Sequence, residues 1–112
     1  MNHQKSRTYL VKWDVKVLEQ LYSLNLEKDL IKSIKHQVDR VLSQNPYGKF
    51  KDIKINLQNC ITNLKKLKGR WDGYWRIRFN EYRIIYKVTE YEVIVEIIKI
   101  GDRDDVYDYD LD

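Results

Sequence analysis

Hydrophobic positions along this chain change period twice, and the changes predict its elements. From Tyr9 to Trp13 they alternate, with Tyr9, Val11 and Trp13 on one side and Leu10 and Lys12 on the other, the period-2 signature of a short strand. Asp14 follows as an N-cap, and Val15, Leu18, Leu21 and Tyr22 recur at helical spacing, predicting a first helix to about Leu24. A tight break at Asn25-Leu26 separates it from a second helix carried by Leu30, Ile31, Ile34, Val38, Val41 and Leu42. That helix has to end before Asn45-Pro46, because proline disfavours helical backbone in the residue ahead of it, and Tyr47-Gly48 extends the turn. The pair reads as an antiparallel helical hairpin.

Over residues 49–63 the pattern weakens. Ile53, Leu57, Cys60 and Ile61 fit a short amphipathic helix interrupted by lysines, and Leu64 to Lys68 lead through Gly69 into Arg70 to Gly73 as a strand and turn. Alternation then returns in Tyr74 to Phe79 and in Tyr82 to Val88. If Asn80-Glu81 closes a two-residue hairpin, Phe79 pairs with Tyr82, Arg78 with Arg83, Ile77 with Ile84 and Trp75 with Tyr86. One face of that ribbon is aromatic and aliphatic, with Trp75 and Tyr86 packing into the core; the other presents Arg76, Arg78 and Arg83. Like charges directly opposite each other on a sheet cost roughly 0.2 to 1 kcal/mol per pair, so stacking them needs a reason, and a polyanion is the simplest. Glu92 to Ile100 is a β-branched run suited to a central strand covered on both faces. The order β-α-α-β-β-β predicts one α+β domain over residues 1–112, a twisted, mostly antiparallel sheet with the helical hairpin on one face.

Composition agrees and adds a charge asymmetry. At 112 residues, 43% hydrophobic and 34% charged, the chain suits one soluble core, and no apolar run approaches the roughly 20 residues of a membrane span. The N-terminal segment lacks the apolar core of a secretory signal, and Cys60 is the single cysteine, so the expected setting is a reducing, cytoplasmic one. The net charge of +4 conceals a split: residues 102 to 112 hold six aspartates and one arginine, and the rest of the chain is strongly basic. Residues 49 to 87 carry eleven Lys or Arg against Asp52, Asp72 and Glu81. Such a body suits nucleic acid through phosphate neutralisation, while Lys49, Lys51 and Lys54 also fit a merely solvated surface.

Ordinary catalytic signatures are missing from the sequence. His3 and His36 read as surface residues, Cys60 has no activating neighbour, and no zinc, serine-hydrolase or phosphate-loop motif is present. What remains is the arginine face together with Arg103 and Tyr107 from the segment after the last strand, where Gly101 permits a turn. RNA is cleaved without any cofactor or metal when its own 2′-hydroxyl attacks the neighbouring phosphate. The protein then has to hold the geometry, neutralise the phosphorane and move protons. Arginine does the second through its planar fork, but a pKa above about 12 makes it a poor proton carrier. Tyr107 is the candidate for that task. Lys65, Lys66, Lys68 and Arg70 are candidate RNA contacts, with Trp71 and Tyr74 as possible base-stacking surfaces. Each has a plainer reading: Arg76 and Arg78 as partners of Asp72, Glu81 or the tail, Arg103 as a partner of Asp104 or Asp105, and Tyr107 as packing.

The constellation LKG…GYWRIRFNEYRIIYKV…VIVEIIKIGDRDDVY, placed after a helical hairpin that ends in Asn45-Pro46, resembles the RelE/ParE superfamily of bacterial and archaeal toxins. Resemblance to RelE implies an mRNA interferase that enters the ribosomal A site, leaves a 2′,3′-cyclic phosphate and is silenced by a cognate antitoxin. Resemblance to ParE implies the same fold used against DNA gyrase, without the nuclease residues. Carried across by position, the family's basic pair falls on Arg76 and Arg78, the arginine of its tyrosine-arginine pair on Arg83, the arginine after the last-strand glycine on Arg103, and the C-terminal tyrosine on Tyr107. Two departures stand out: RelE proper has lysines at the positions of Arg76 and Arg78, and the usual glycine-histidine-arginine reads Gly101-Asp102-Arg103. The implied partners are an antitoxin, mRNA and the ribosome, with no membrane. The rivals to a nuclease are a gyrase inhibitor and an inactive nucleic-acid-binding module.

Overall fold

A computed structural model describes residues 8–47, 61–79 and 82–102. Strand β1 (Leu10–Trp13) leads into helices α1 (Val15–Tyr22) and α2 (Lys28–Gln44), followed by β2 (Ile61–Lys66), β3 (Trp75–Phe79), β4 (Tyr82–Thr89) and β5 (Ile94–Asp102). The strands form one five-stranded sheet in the order β1-β5-β4-β3-β2, in which β1 runs parallel to β5 and every other pairing is antiparallel. The α+β class and the placing of helices before the main run of strands are as the sequence predicts. The strand count changes. Four strands follow the helices rather than three, because Ile61 opens edge strand β2 instead of closing a helix, its lysines having masked the alternation. The remainder of the helix expected over 49–63, the Asn80-Glu81 turn, His3, Cys60 and the segment with Arg103 and Tyr107 lie outside the described residues.

Local chemistry accounts for the helix boundaries. Asp14 sits in extended backbone and its carboxylate accepts a hydrogen bond from the Lys16 N–H at 3.3 Å, capping α1. The helix stops at Tyr22, two residues short of the expectation, as the Ser23 N–H closes on the Glu19 carbonyl. At the end of α2, Asn45 has left helical backbone, with φ −155° and ψ 76°, ahead of Pro46.

The helices lay their apolar stripes on one face of the sheet. Val17, Leu21, Ile31, Ile34, Val38, Val41 and Leu42 pack with Ile77, Ile84, Tyr86, Val95, Ile97 and Ile100, all nearly inaccessible. Each such side chain contributes about 1.5 to 3 kcal/mol of burial. Polar tethers fix the seat of the helices. Trp13 Nε1 donates to Asp39 Oδ1 at 2.6 Å, and Lys35 Nζ lies 2.9 Å from Asp39 Oδ2 and 5.3 Å from the centroid of the Trp13 ring. The Ile100 N–H donates to Gln20 Oε1 at 3.0 Å. The Asn45-Pro46-Tyr47 turn is held from below, since the buried Tyr86 hydroxyl donates to the Pro46 carbonyl at 2.7 Å and the Tyr9 and Tyr47 hydroxyls both donate to Glu90 Oε2. Trp75 and Tyr86 therefore pack as expected, with Trp75 edge-on to Tyr47 at 5.3 Å. Among the described residues no helix is long and apolar enough to cross a membrane.

The β3–β4 register is the one the alternation predicts: Trp75 with Tyr86, Ile77 with Ile84, Arg78 with Arg83 and Phe79 with Tyr82. Two bulges interrupt the sheet on either side of this ribbon. One skips Asn63 in β2, where Thr62 pairs with Arg78 but Leu64 with Ile77. The other skips Ile98 in β5, where Lys99 pairs with Ile85 but Ile97 with Tyr86.

Candidate phosphate-binding face

Because side chains alternate across a sheet, the residues between the core positions of β3 and β4 point away from the helices. Following the cross-strand register, that face carries two rows: Lys65, Arg76, Ile85 and Lys99 in one, and Arg78, Arg83 and Gly101 in the next. Five of these seven positions are cationic and none is acidic. Neighbouring strands are only about 4.8 Å apart, so each row brings its charges close together. Arg78 and Arg83 are direct partners, as are Lys65 and Arg76.

The face is not uniformly polar. Ile85 is fully buried in it, beneath a second, smaller cluster made by Trp71 with Leu67, Tyr74 and Ile98. This cap is built by a 3₁₀ turn over Gly69–Trp71, in which the Leu67 N–H donates to the Tyr74 carbonyl at 2.9 Å and Gly69 and Gly73 adopt φ values of 69° and 94°. Glycine alone takes such backbone without strain, which is why the chain can double back over Ile85. Trp71 is 5% exposed and meets Tyr74 edge-on at 5.7 Å. Its ring is thus enclosed by packing, a correction to its expected place among base-stacking surfaces; Tyr74, half-buried, retains an accessible portion.

Burial shapes the cations as well. Arg83 and Lys99 are 8% and 7% exposed, the two charged residues among those described that are more than nine-tenths buried. Arg83 Nη1 donates to the Tyr82 carbonyl at 3.0 Å, which orients the guanidinium along its own strand. Arg76 is half-buried, and its Nη1 is inaccessible and has no hydrogen-bond partner. A buried donor without an acceptor costs about 1 to 3 kcal/mol, so this atom stands out as an unsatisfied polar group of the face. Arg78, Lys65, Lys68 and Arg70 are exposed around these groups, whereas Lys66 pairs with Trp75 and so lies on the helix side. The structure brings together Arg76, Arg78, Arg83 and Lys65 as expected residues, and it adds Lys99. The sequence signal for Lys99 was a lysine inside an otherwise apolar run, Ile97-Ile98-Lys99-Ile100. Simple alternation from Val95 and Ile97 would send it into the core, and only the bulge at Ile98 turns it outward.

The fold is thus a small α+β domain with one sheet face closed by helices and the other set with cations around an apolar floor. The family of ParE toxins of type II toxin-antitoxin systems, ParDE, matches residues 11–107. The chain belongs to this family, within the RelE/ParE superfamily, and is a toxin of a type II toxin-antitoxin system. No curated protein matches it. Among solved structures, it is similar to the toxin-antitoxin complex RelBE2 from Mycobacterium tuberculosis, at 19% identity and a TM-score of 0.63, covering 92% of this chain and 100% of that one. It is also similar to the archaeal RelE-RelB complex from Pyrococcus horikoshii, at 24% identity and 0.60 over 88% and 99%. For the YoeB-YefM complex from Staphylococcus aureus the values are 18% and 0.56 over 90% and 98%. These likenesses show the shared fold.

Proposed function

We propose that this toxin is a metal-independent, ribosome-assisted endoribonuclease that cleaves mRNA by attack of the 2′-hydroxyl on the adjacent phosphate. The buried, partnerless Arg76 Nη1 beside four more cations carries this reading, since a phosphate oxygen satisfies the donor and relieves the stacked charge together. Arg76 and Arg78 bind the phosphate and help order the 2′-hydroxyl. Arg83 and Arg103 stabilise the phosphorane, and Tyr107 transfers a proton or orients the nucleophile. Lys65, Lys68, Arg70 and Tyr74 line the approach of the message. A cognate antitoxin silences the toxin by covering the basic face with an acidic or helical segment. The decisive experiment is induced expression followed by primer extension on cellular messages, where codon-phased cuts are expected. Replacing Arg83 with Lys and Tyr107 with Phe should abolish growth arrest and leave the circular dichroism spectrum unchanged. A double variant that remains toxic removes this mechanism.

The match to ParE toxins over residues 11–107 favours a second reading, a non-nuclease inhibitor of DNA gyrase. It predicts a DNA-damage response with intact messages in the same experiment.

A further inference from the structure

We propose that the aspartate-rich segment after β5, residues 103–112, occupies the cationic outer face of its own molecule in the free toxin, and that RNA has to displace it to bind. The proposal rests on the reading of that face as a phosphate-binding surface and adds its regulation, a built-in competitor for the phosphate.

Charge, direction and reach all point the same way. Lys65, Arg76, Arg78, Arg83 and Lys99 share the face with no acidic residue in their two rows. The segment holds Asp104, Asp105, Asp108, Asp110 and Asp112 against Arg103 alone, a net charge of −4. Strand β5 delivers it to the right place, since Gly101 pairs with Arg83 and Asp102 with Tyr82. On the helix side the space is taken: α1 and α2 pack there, and Gln20 of α1 accepts a hydrogen bond from the Ile100 N–H at 3.0 Å. On the outer side Gly101 has no side chain to stand in the way. Extended chain advances about 3.3 Å per residue and neighbouring strands lie about 4.8 Å apart. Asp104 and Asp105, two and three residues past Asp102, therefore reach Arg83 on β4 and Arg76 on β3, and Asp108 reaches Lys65 on β2.

The planar fork of arginine takes a carboxylate as readily as a phosphate, so the two ligands compete for the same donors. Each carboxylate contact at a solvent-accessible site is weak and screened by salt. Tethering compensates, because a short connection holds the segment at an effective concentration on the order of millimolar. A strand that meets the face through one phosphate loses to it. A strand laid across several cations releases several counterions together and wins. The segment thus raises the number of phosphate contacts an RNA must make before it is held, and it offsets the repulsion within the charged rows while no RNA is bound.

The test uses the full chain with Asp104, Asp105, Asp108, Asp110 and Asp112 all changed to Asn, and a fluorescent 2′-O-methyl RNA oligomer, which binds but has no 2′-hydroxyl to attack with. The neutralised chain is expected to bind the oligomer about tenfold more tightly than the parent at about 50 mM salt, and within about twofold of it at about 500 mM. Repeating the comparison in an Arg76→Gln background separates contact from bulk charge. A segment seated on the face loses most of its effect there, so the gain should shrink at least threefold. Lys65→Gln supplies the same comparison if Arg76→Gln does not fold. Equal affinity of parent and neutralised chain overturns the proposal, and so does a gain of the same size in both backgrounds, which assigns the effect to net charge alone. A gain that grows with protein concentration overturns it too, by placing the segment on a second copy. Failure of every form to bind at low salt removes the phosphate-binding reading and this inference with it. Cleavage plays no part in the measurement, so a toxin that binds the oligomer but leaves cellular messages intact loses only its ribonuclease assignment.

Discussion

On the helix side of the sheet, Ile77, Ile84 and Ile100 form one cross-strand row and Trp75, Tyr86 and Ile97 the next, all apolar or aromatic and sealed by α1 and α2. On the other side the interleaved rows put Lys65, Arg76, Arg78, Arg83 and Lys99 around Ile85, with only the Trp71 turn for cover. The same strands thus serve two purposes, and adjacent residues such as Ile84 and Ile85 belong to different environments although both are fully buried. One face holds the fold together through burial; the other places charge where folding gains little from it.

The largest effect should separate these two isoleucines. Ile84→Ala opens a hole in the main core, which neither helix can collapse to fill, and should cost about 2 to 5 kcal/mol in denaturant unfolding. Ile85→Ala removes the same atoms from a cluster roofed by one turn that can settle onto the gap, so it should fall at or below the bottom of that range. Equal losses would mean that the outer cluster is as rigid a part of the core as the inner one.

How far the two faces could be read in advance also differs. The inner face follows from alternation: once a two-residue turn is placed after Phe79, every β3–β4 partner is determined, and the Arg78–Arg83 pair comes with it. The helices were equally legible, since Asp14 and Pro46 mark their limits chemically. The outer face depends on features that break the period. A bulge leaves no signature in residue type, so Lys99 looked like an interruption of a buried strand. Trp71 looked like an exposed aromatic in a basic stretch, because its burial comes from a glycine-permitted reversal that carries it over Ile85. Strand β2 was legible only from Leu64 onward, and its start at Ile61 was not, because an edge strand needs few apolar residues.

A second, smaller effect appears at high pH and belongs to the inner face. Burial, and after it the neighbouring Tyr47, push the Tyr86 phenol far above its ordinary range. The folded state therefore keeps its proton where the unfolded chain, titrating near 10, loses it. Stability from this group is complete below about pH 10 and declines above it, by up to about 1.4 kcal/mol per pH unit. Urea unfolding of Tyr86→Phe between pH 9 and 11.5 (about 10 is the midpoint of an ordinary tyrosine) should show a flatter decline. The variant should also lose about 1 kcal/mol at neutral pH, because the Pro46 carbonyl loses its donor. A parent and variant that decline in parallel would place the alkaline loss elsewhere, the Tyr47 phenol being the next group to replace, since its own burial and its bond to Glu90 raise it too.

The smallest effect has the opposite sign, and for that reason bears most directly on the contrast between the faces. Arg78 is exposed and stands directly across from Arg83. Replacing it with Gln keeps the stem but removes one of two facing charges, so the fold should gain about 0.2 to 1 kcal/mol rather than lose stability. Binding to single-stranded RNA should weaken in the same variant, with the slope of log affinity against log salt falling by about 0.7, the share of one phosphate contact. A gain in stability coupled to a loss of salt-dependent affinity is what an outer face selected for binding anions must show. Arg78→Gln losing stability instead would mean that this arginine is held by partners within the fold, and the charged rows would then be a packing arrangement rather than a site.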